Sequence, residues 1–298
     1  MIEVLQTKQI PGGIQVLARA FKGDKQIGFG KDGTVDIEKF NIYTSSKLSK
    51  KAILESLEHI VGVKKEKGDD SNIIKGKKGS TTSTFFPAAG TNAPVDGFVR
   101  RSGVNETFST IRAGAGNGAG DSSTQFGPAL NASATTDQFE EMNRNGFGFD
   151  TSPIDIADIV SSATISFHSD SNLTGLGDTD IDVVLFTPAS ESAIATGDFV
   201  NFGTTRFATG IAVTAWNNGS YTDYTLNASG LANISQTGND FFGLRTKWDV
   251  DNSFTGTWSS SAVTRVNPFF ADEAGTAKDP KLVVEHGALA FIPQIIII

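Results

Sequence analysis

Asp178, Asp180 and Asp182 alternate along the chain, so in a strand their carboxylates project from one face. Joined by Asp170 or Asp240, they could form an oxygen-rich calcium site of the kind that ties loops together. The plainer reading is a polar outer face beside the apolar run Val183-Val184-Leu185-Phe186. A second set is aromatic: Trp216, Tyr221, Trp248 and Trp258, with Tyr224, could line a sugar-contacting face, or pack at strand ends. No other cofactor is indicated.

Catalytic arrangements are harder to assemble. The three histidines, His59, His168 and His286, lie far apart and form no ligand-spaced pair. Ser and Asp are too abundant to exclude a Ser-His-Asp triad, yet nothing resembles a nucleophile elbow. Glu140 and Glu141 are adjacent in a loop-like segment, a poor arrangement for a glycosidase acid pair. Cysteine is absent, which removes thiolate chemistry, disulfides and cysteinyl metal sites. The glycine-rich stretch Gly114 to Gly120 lacks the Lys-Ser/Thr of a phosphate loop and reads as surface loop. The expectation is a protein that is not an enzyme.

These residues would be positioned by short strands. Val160 to His168, Ile181 to Thr187, Ile211 to Trp216, Tyr221 to Leu226, Phe241 to Trp248 and Lys281 to Glu285 all carry strand patterns. Phe98 to Arg101 and Thr107 to Arg112 precede them. Turn residues separate the later ones, as in Asn217-Asn218-Gly219 and Gly238-Asn239-Asp240. Seven or eight strands with no long helix between them predict a mainly β chain built on an antiparallel β-sandwich or jelly roll.

Before the sandwich, Gly12 to Tyr43 reads as a small β unit, and Ser45 or Ser46 opens an amphipathic helix along Leu48, Ala52, Leu57, Ile60 and Val61. The expected organisation is a small α+β anchoring unit at 1–63, a solvated linker at 64–95, the sandwich at 96–287 and an apolar tail at 288–298. Residues 1–80 hold 15 Lys/Arg against 10 Asp/Glu, and the rest 10 against 23, so the two parts carry opposite charge. The lysines of 64–78 have no interleaved aromatics, which argues against a nucleic-acid arm. No apolar run is long enough to span a bilayer. The tail, with Leu289, Phe291, Ile295, Ile296, Ile297 and Ile298, is a low-charge strand suited to packing against another subunit.

Asp150-Thr151-Ser152-Pro153-Ile154 followed by Ile159 to Ile165, then Gly197-Asp198-Phe199-Val200-Asn201-Phe202-Gly203, resembles the opening and middle of DNRLRE-type domains. Tyr224 to Asn227 with Gly230 to Ile234, Phe242-Gly243-Leu244-Arg245 and Pro280 to Val284 resemble their later strands. The resemblance covers about 96–286 and implies a carbohydrate-binding-like jelly roll, found on cell-surface proteins and phage virions. The start of the chain has no signal-peptide layout, which fits a protein made in a host cytoplasm and carried on a virion. The expected function is a structural protein of a tailed-phage particle, as decoration, fibre or tail protein. Its partners would be itself, other virion proteins and host surface glycans. The alternative is a free-standing carbohydrate-binding module.

Overall fold

The computed structural model describes residues 2–10, 13–22, 25–27, 38–43 and 80–288. The chain divides into two compact units, the second spanning Gly79–Leu289. In the first, β2 (Gly13–Lys22) is the central strand of an antiparallel sheet. β1 (Ile2–Ile10) lies on one side, and β3 (Lys25–Ile27) and β4 (Glu38–Tyr43) pair with it as well. The expected helix after Ser45, most of the expected linker and the tail from Leu289 onward lie outside the described residues.

The second unit is an antiparallel β-sandwich. It begins with β5 (Thr81–Phe85), a strand within what the sequence suggests is linker. β6 (Asp96–Glu106) follows, then α1 (Phe108–Ala113), β7 (Gly118–Gly120), β8 (Ala129–Ala132) and β9 (Phe139–Asp150). Next come the long β10 (Asp158–Thr174), β11 (Asp180–Phe186), β12 (Phe202–Arg206), β13 (Ile211–Ala212) and β14 (Ser220–Thr225). α2 (Ala228–Ala232), β15 (Asn239–Thr246), α3 (Lys247–Asp251), β16 (Val263–Pro268) and β17 (Lys281–Ala288) complete it.

One layer is β7-β6-β9-β15-β11, with β12 and β13 both on β11. The other is built on β10, which pairs with β14 and β17, and β5 lies outside β17. β8 and β16 join the layers into one continuous ladder. Between the layers, Phe147, Phe149, Val183, Phe242 and Leu244 meet Ile165, Phe167, Tyr224, Leu282 and Val284. The opposite face of the first layer is also covered: Met142, Val184, Phe186 and Phe202 pack with Ile111, Phe199 and Trp248. Val183 faces one core and Val184 the other. That double burial explains why β11 reads as a continuous apolar run rather than an alternation.

Gly146 and Gly243 are directly paired across β9 and β15. On this face the stacked rings of Phe186 and Phe202 lie 4.3 Å apart, and a Cβ at either glycine would run into one of them. The glycines are therefore the floor on which that stack rests.

Four local expectations are corrected. Thr107 to Arg112 forms α1 rather than a strand, burying Ile111 alone. Only Ile211–Ala212 of the expected 211–216 strand pairs; a 3-10 turn at Val213–Ala215 then swings Trp216 inward. The expected 241–248 strand ends at Thr246, whose hydroxyl caps α3 by accepting from the Asp249 N–H at 3.4 Å. Glu140 and Glu141 stand in β9, not in a loop.

Candidate functional site

The register of the second layer fixes where the chain joins the sandwich. Thr81 stands opposite His286, and Asp158 opposite Ala288. The chain therefore enters through β5 and leaves through β17 at one end of the layer. β10 runs from that end for 17 residues, roughly 50 Å of extended strand, to Thr174, which pairs with Thr264 at the far end.

Three segments meet at this far end: 133–138, 175–179 and 252–262. Main-chain bonds knit them together, from Ala132 N–H to Ala262 O at 2.9 Å, Thr257 N–H to Leu176 O at 2.8 Å and Gly175 N–H to Val263 O at 2.8 Å. The 252–262 segment is held from beneath by aromatic residues. The Phe254 ring meets Trp248 edge-on at 4.9 Å, and the Trp258 indole donates to Gln138 O at 3.0 Å. Asn252 starts the segment in the left-handed conformation at the end of α3. Ser253, Thr255, Thr257, Ser259 and Ser260 are exposed between these anchors. The result is a hydroxyl-bearing surface on fixed loops, with Trp258 half-buried at its centre.

The other aromatic candidates are elsewhere. Trp216 is buried and donates its indole N–H to the Tyr224 hydroxyl at 3.1 Å, which donates to Ile181 O at 2.9 Å. Burial pushes the Tyr224 phenol well above its usual range. Trp248 is likewise buried, its indole donating to the Thr255 hydroxyl at 3.1 Å. Neither indole presents a face to a ligand, so the expected sugar-contacting role is corrected for Trp216 and Trp248. Tyr221 is half-buried; its hydroxyl donates to Ala277 O and Asp279 O, and the Lys281 ammonium stands 3.9 Å from its ring centre.

The alternating acids stand in separate settings. Asp178 precedes β11 and closes a turn, accepting from Thr179 N–H, Thr214 N–H and the Thr214 hydroxyl. Asp182 is buried and paired with Arg206 at 2.8 Å, while Asp180 opens the strand. Burial raises the Asp182 carboxyl, with Arg206 opposing the shift. Asp170 accepts from Gln125, and Asp240 from the Thr151 hydroxyl and Ser235 N–H. Among the described residues no group of three or more His, Asp or Glu side chains is arranged to hold a metal ion by itself.

Two buried polar groupings are invisible in the sequence. Asp249 receives bidentate guanidinium donors from both Arg144 and Arg245, all four bonds at 2.7 Å. Arg144 also donates to the main-chain oxygens of Phe199 and Arg112, and Arg245 to that of Gly203. Burial works to raise the Asp249 carboxyl, but the two guanidiniums outweigh it and hold it far below the carboxylate range. This cluster fastens α1, β9, β15 and α3 together. Separately, the His286 imidazole links Ser83 Oγ to Nε2 at 2.9 Å and Asp158 Oδ2 to Nδ1 at 2.8 Å. Its partners have the order of a catalytic relay, but Ser83 is in register with the buried Val284, on the core side of an edge strand. There it ties β5, β17 and β10 together where the chain joins the sandwich.

No protein-family model matches the chain, and no curated protein matches it. Among solved structures the chain is similar to one described as concerning the promiscuous specificity of carbohydrate-binding modules from the β-sandwich superfamily. The identity is 12%, the TM-score 0.23, and the match covers 86% of this chain and 72% of that one. At that score the likeness adds nothing to the architecture already described.

Proposed function

We propose that the chain is a non-enzymatic structural protein of a virus particle, a decoration, fibre or tail protein whose β-sandwich is displayed outward. The observation that carries this reading is the pairing of Thr81 with His286, which puts both connections of the sandwich at one end. A module joined that way hangs from whatever its flanking segments bind and presents its opposite end. That opposite end is the fixed, hydroxyl-rich loop surface around Trp258. The positive charge of residues 1–80 and the apolar tail at 288–298 suit the flanks to contacts with other subunits.

The surface around Trp258 also suits a hydroxyl-bearing ligand, which keeps a free-standing carbohydrate-binding module as the second reading. A glycan array on the purified full chain, run beside its particle-size distribution, separates the two. Symmetric assembly supports the virion reading, with or without glycan capture. Sugar capture by a monomer overturns it in favour of the second.

A further inference from the structure

Among the described residues of the sandwich, β5, β7, β12, β13 and β14 each pair on one side only. An open strand edge is a template for another chain, and proteins blunt it with shortness, charge, proline or a bulge. β7 has three residues and β13 two. β12 carries Arg206, ion-paired to Asp182 and Asp251, and β14 carries the exposed Asp223. β5 has none of these devices. It is Thr81-Thr82-Ser83-Thr84-Phe85, five uncharged residues in register with β17 without a bulge.

The strand is also firmly held. Phe85 is buried in the core between the layers, and Ser83 is bonded to His286 at 2.9 Å. Thr82 and Thr84 are exposed, and Phe86, 41% exposed, continues the edge. Three occupants of that edge can be compared. The chain's own tail leaves β17 at the end where β5 begins, so it would have to cross the chain entering β5 at Ser80. Connections avoid such crossings. A symmetric pair of β5 strands would run antiparallel and point the two joined ends in opposite directions. That defeats display of both sandwiches from one particle. A neighbour's tail meets neither obstacle.

We propose that the free edge of β5 accepts Ile295 to Ile298 of a second copy of this chain as an added strand. The inference rests on the reading of the protein as a subunit of an assembly and names the surface that joins its copies. Main-chain hydrogen bonds supply the affinity of such strand addition, and alternate side chains the fit. Four uncharged β-branched residues suit this edge, because isoleucine and threonine pack well as cross-strand neighbours. Residues 289–294 give each tail a reach of roughly 20 Å beyond β17, enough to cross to an adjoining sandwich. Phe86 offers an apolar seat at the end of the edge.

The test mixes full chains that each carry a single cysteine, which the absence of native cysteine allows. Thr84→Cys chains are oxidised mildly with Ile295→Cys or Ile296→Cys chains, adjacent positions that fall on opposite faces of a strand. A mixed disulfide between the two kinds of chain, read by intact mass, is expected for one of them. Ser259→Cys, on the far loops, should form none with either. The double variant Thr82→Lys with Thr84→Lys should shift the full chain toward the smaller species in mass photometry. Its thermal midpoint should stay unchanged, since both positions are exposed. A discrete oligomer that gives no mixed disulfide, or that ignores the two lysines, overturns this inference and leaves the assembly reading standing. Disulfides between Thr84→Cys chains alone overturn it in favour of β5 self-pairing. A monomeric full chain overturns both.

Discussion

Thr81 and His286 face each other across the β5–β17 ladder, and through this pair the sandwich has one joined end and one free end. The next pair inward, Thr82 and Glu285, is exposed and occupies directly opposed positions. Opposed Cα atoms in an antiparallel ladder lie about 4.5–5.5 Å apart, within reach of a disulfide. Because the chain has no cysteine, Thr82→Cys with Glu285→Cys is a clean probe. Mild oxidation should consume both thiols within one chain, as read by intact mass; free thiols under those conditions would refute the register.

The Asp249 cluster should dominate the mutational response of the second core. Arg245→Met leaves Asp249 with fewer donors in a site closed to water, and breaking a buried pair this way costs about 3–5 kcal/mol. Lys247→Met, which removes an exposed partner of Asp251, should cost less than about 1 kcal/mol. Urea unfolding of the two variants checks the contrast; equal effects would contradict it.

Gly243→Val should press on the Phe202 ring and on Val184. Overpacking of this kind costs about 1–3 kcal/mol. The same substitution at Gly238, where a Cβ meets nothing within 4 Å, should leave the urea midpoint nearly unchanged.

Acid and neutral pH should stress different parts of the molecule. Burial, reinforced by Asp272 and Asp279, raises the Asp96 carboxyl, so the folded chain holds that proton more tightly than the unfolded one. That contribution is present below the unfolded value and lost as pH rises through the folded value. Asp249 has the opposite sign: its depressed carboxyl stabilises above the unfolded value and ceases to do so as pH falls through the folded one. The Tm of the chain should therefore rise as pH is lowered from 7, then fall below about pH 4, the ordinary carboxylate value. A Tm that declines steadily from pH 7 downward would contradict the assignment.

The Ser83–His286–Asp158 relay is assigned to holding the joined end, not to catalysis. A fluorophosphonate probe should leave Ser83 unlabelled in the native chain. Ser83→Ala should cost about 1 kcal/mol, the net worth of one hydrogen bond. Stoichiometric labelling of Ser83 would turn the reading toward a hydrolase.

Much of the sandwich is legible in the sequence because most of its strands alternate or run apolar: β10 shows Val160, Ala163, Ile165 and Phe167, and β11 shows Ile181 to Phe186. β9 is not legible. Its middle, Asn143-Arg144-Asn145-Gly146, shows no strand pattern because Arg144 finds Asp249 only 105 residues further on and Gly146 serves a ring on another strand. The same holds for Asp96, whose acidic neighbours lie some 180 residues downstream. Aromatic residues mislead for a related reason. Trp216 and Trp258 look alike in sequence, but a 3-10 turn turns the first into the core, while a loop leaves the second half-exposed.

The central claim, that the sandwich is displayed from an assembly held by its flanks, is tested most directly by mass photometry of the full chain beside a version ending at Gly287. The account predicts one discrete oligomer for the full chain. It predicts a smaller species for the shortened one, with the thermal midpoint of the sandwich unchanged. A full chain that remains monomeric, or an oligomer that persists unchanged without residues 288–298, would contradict it.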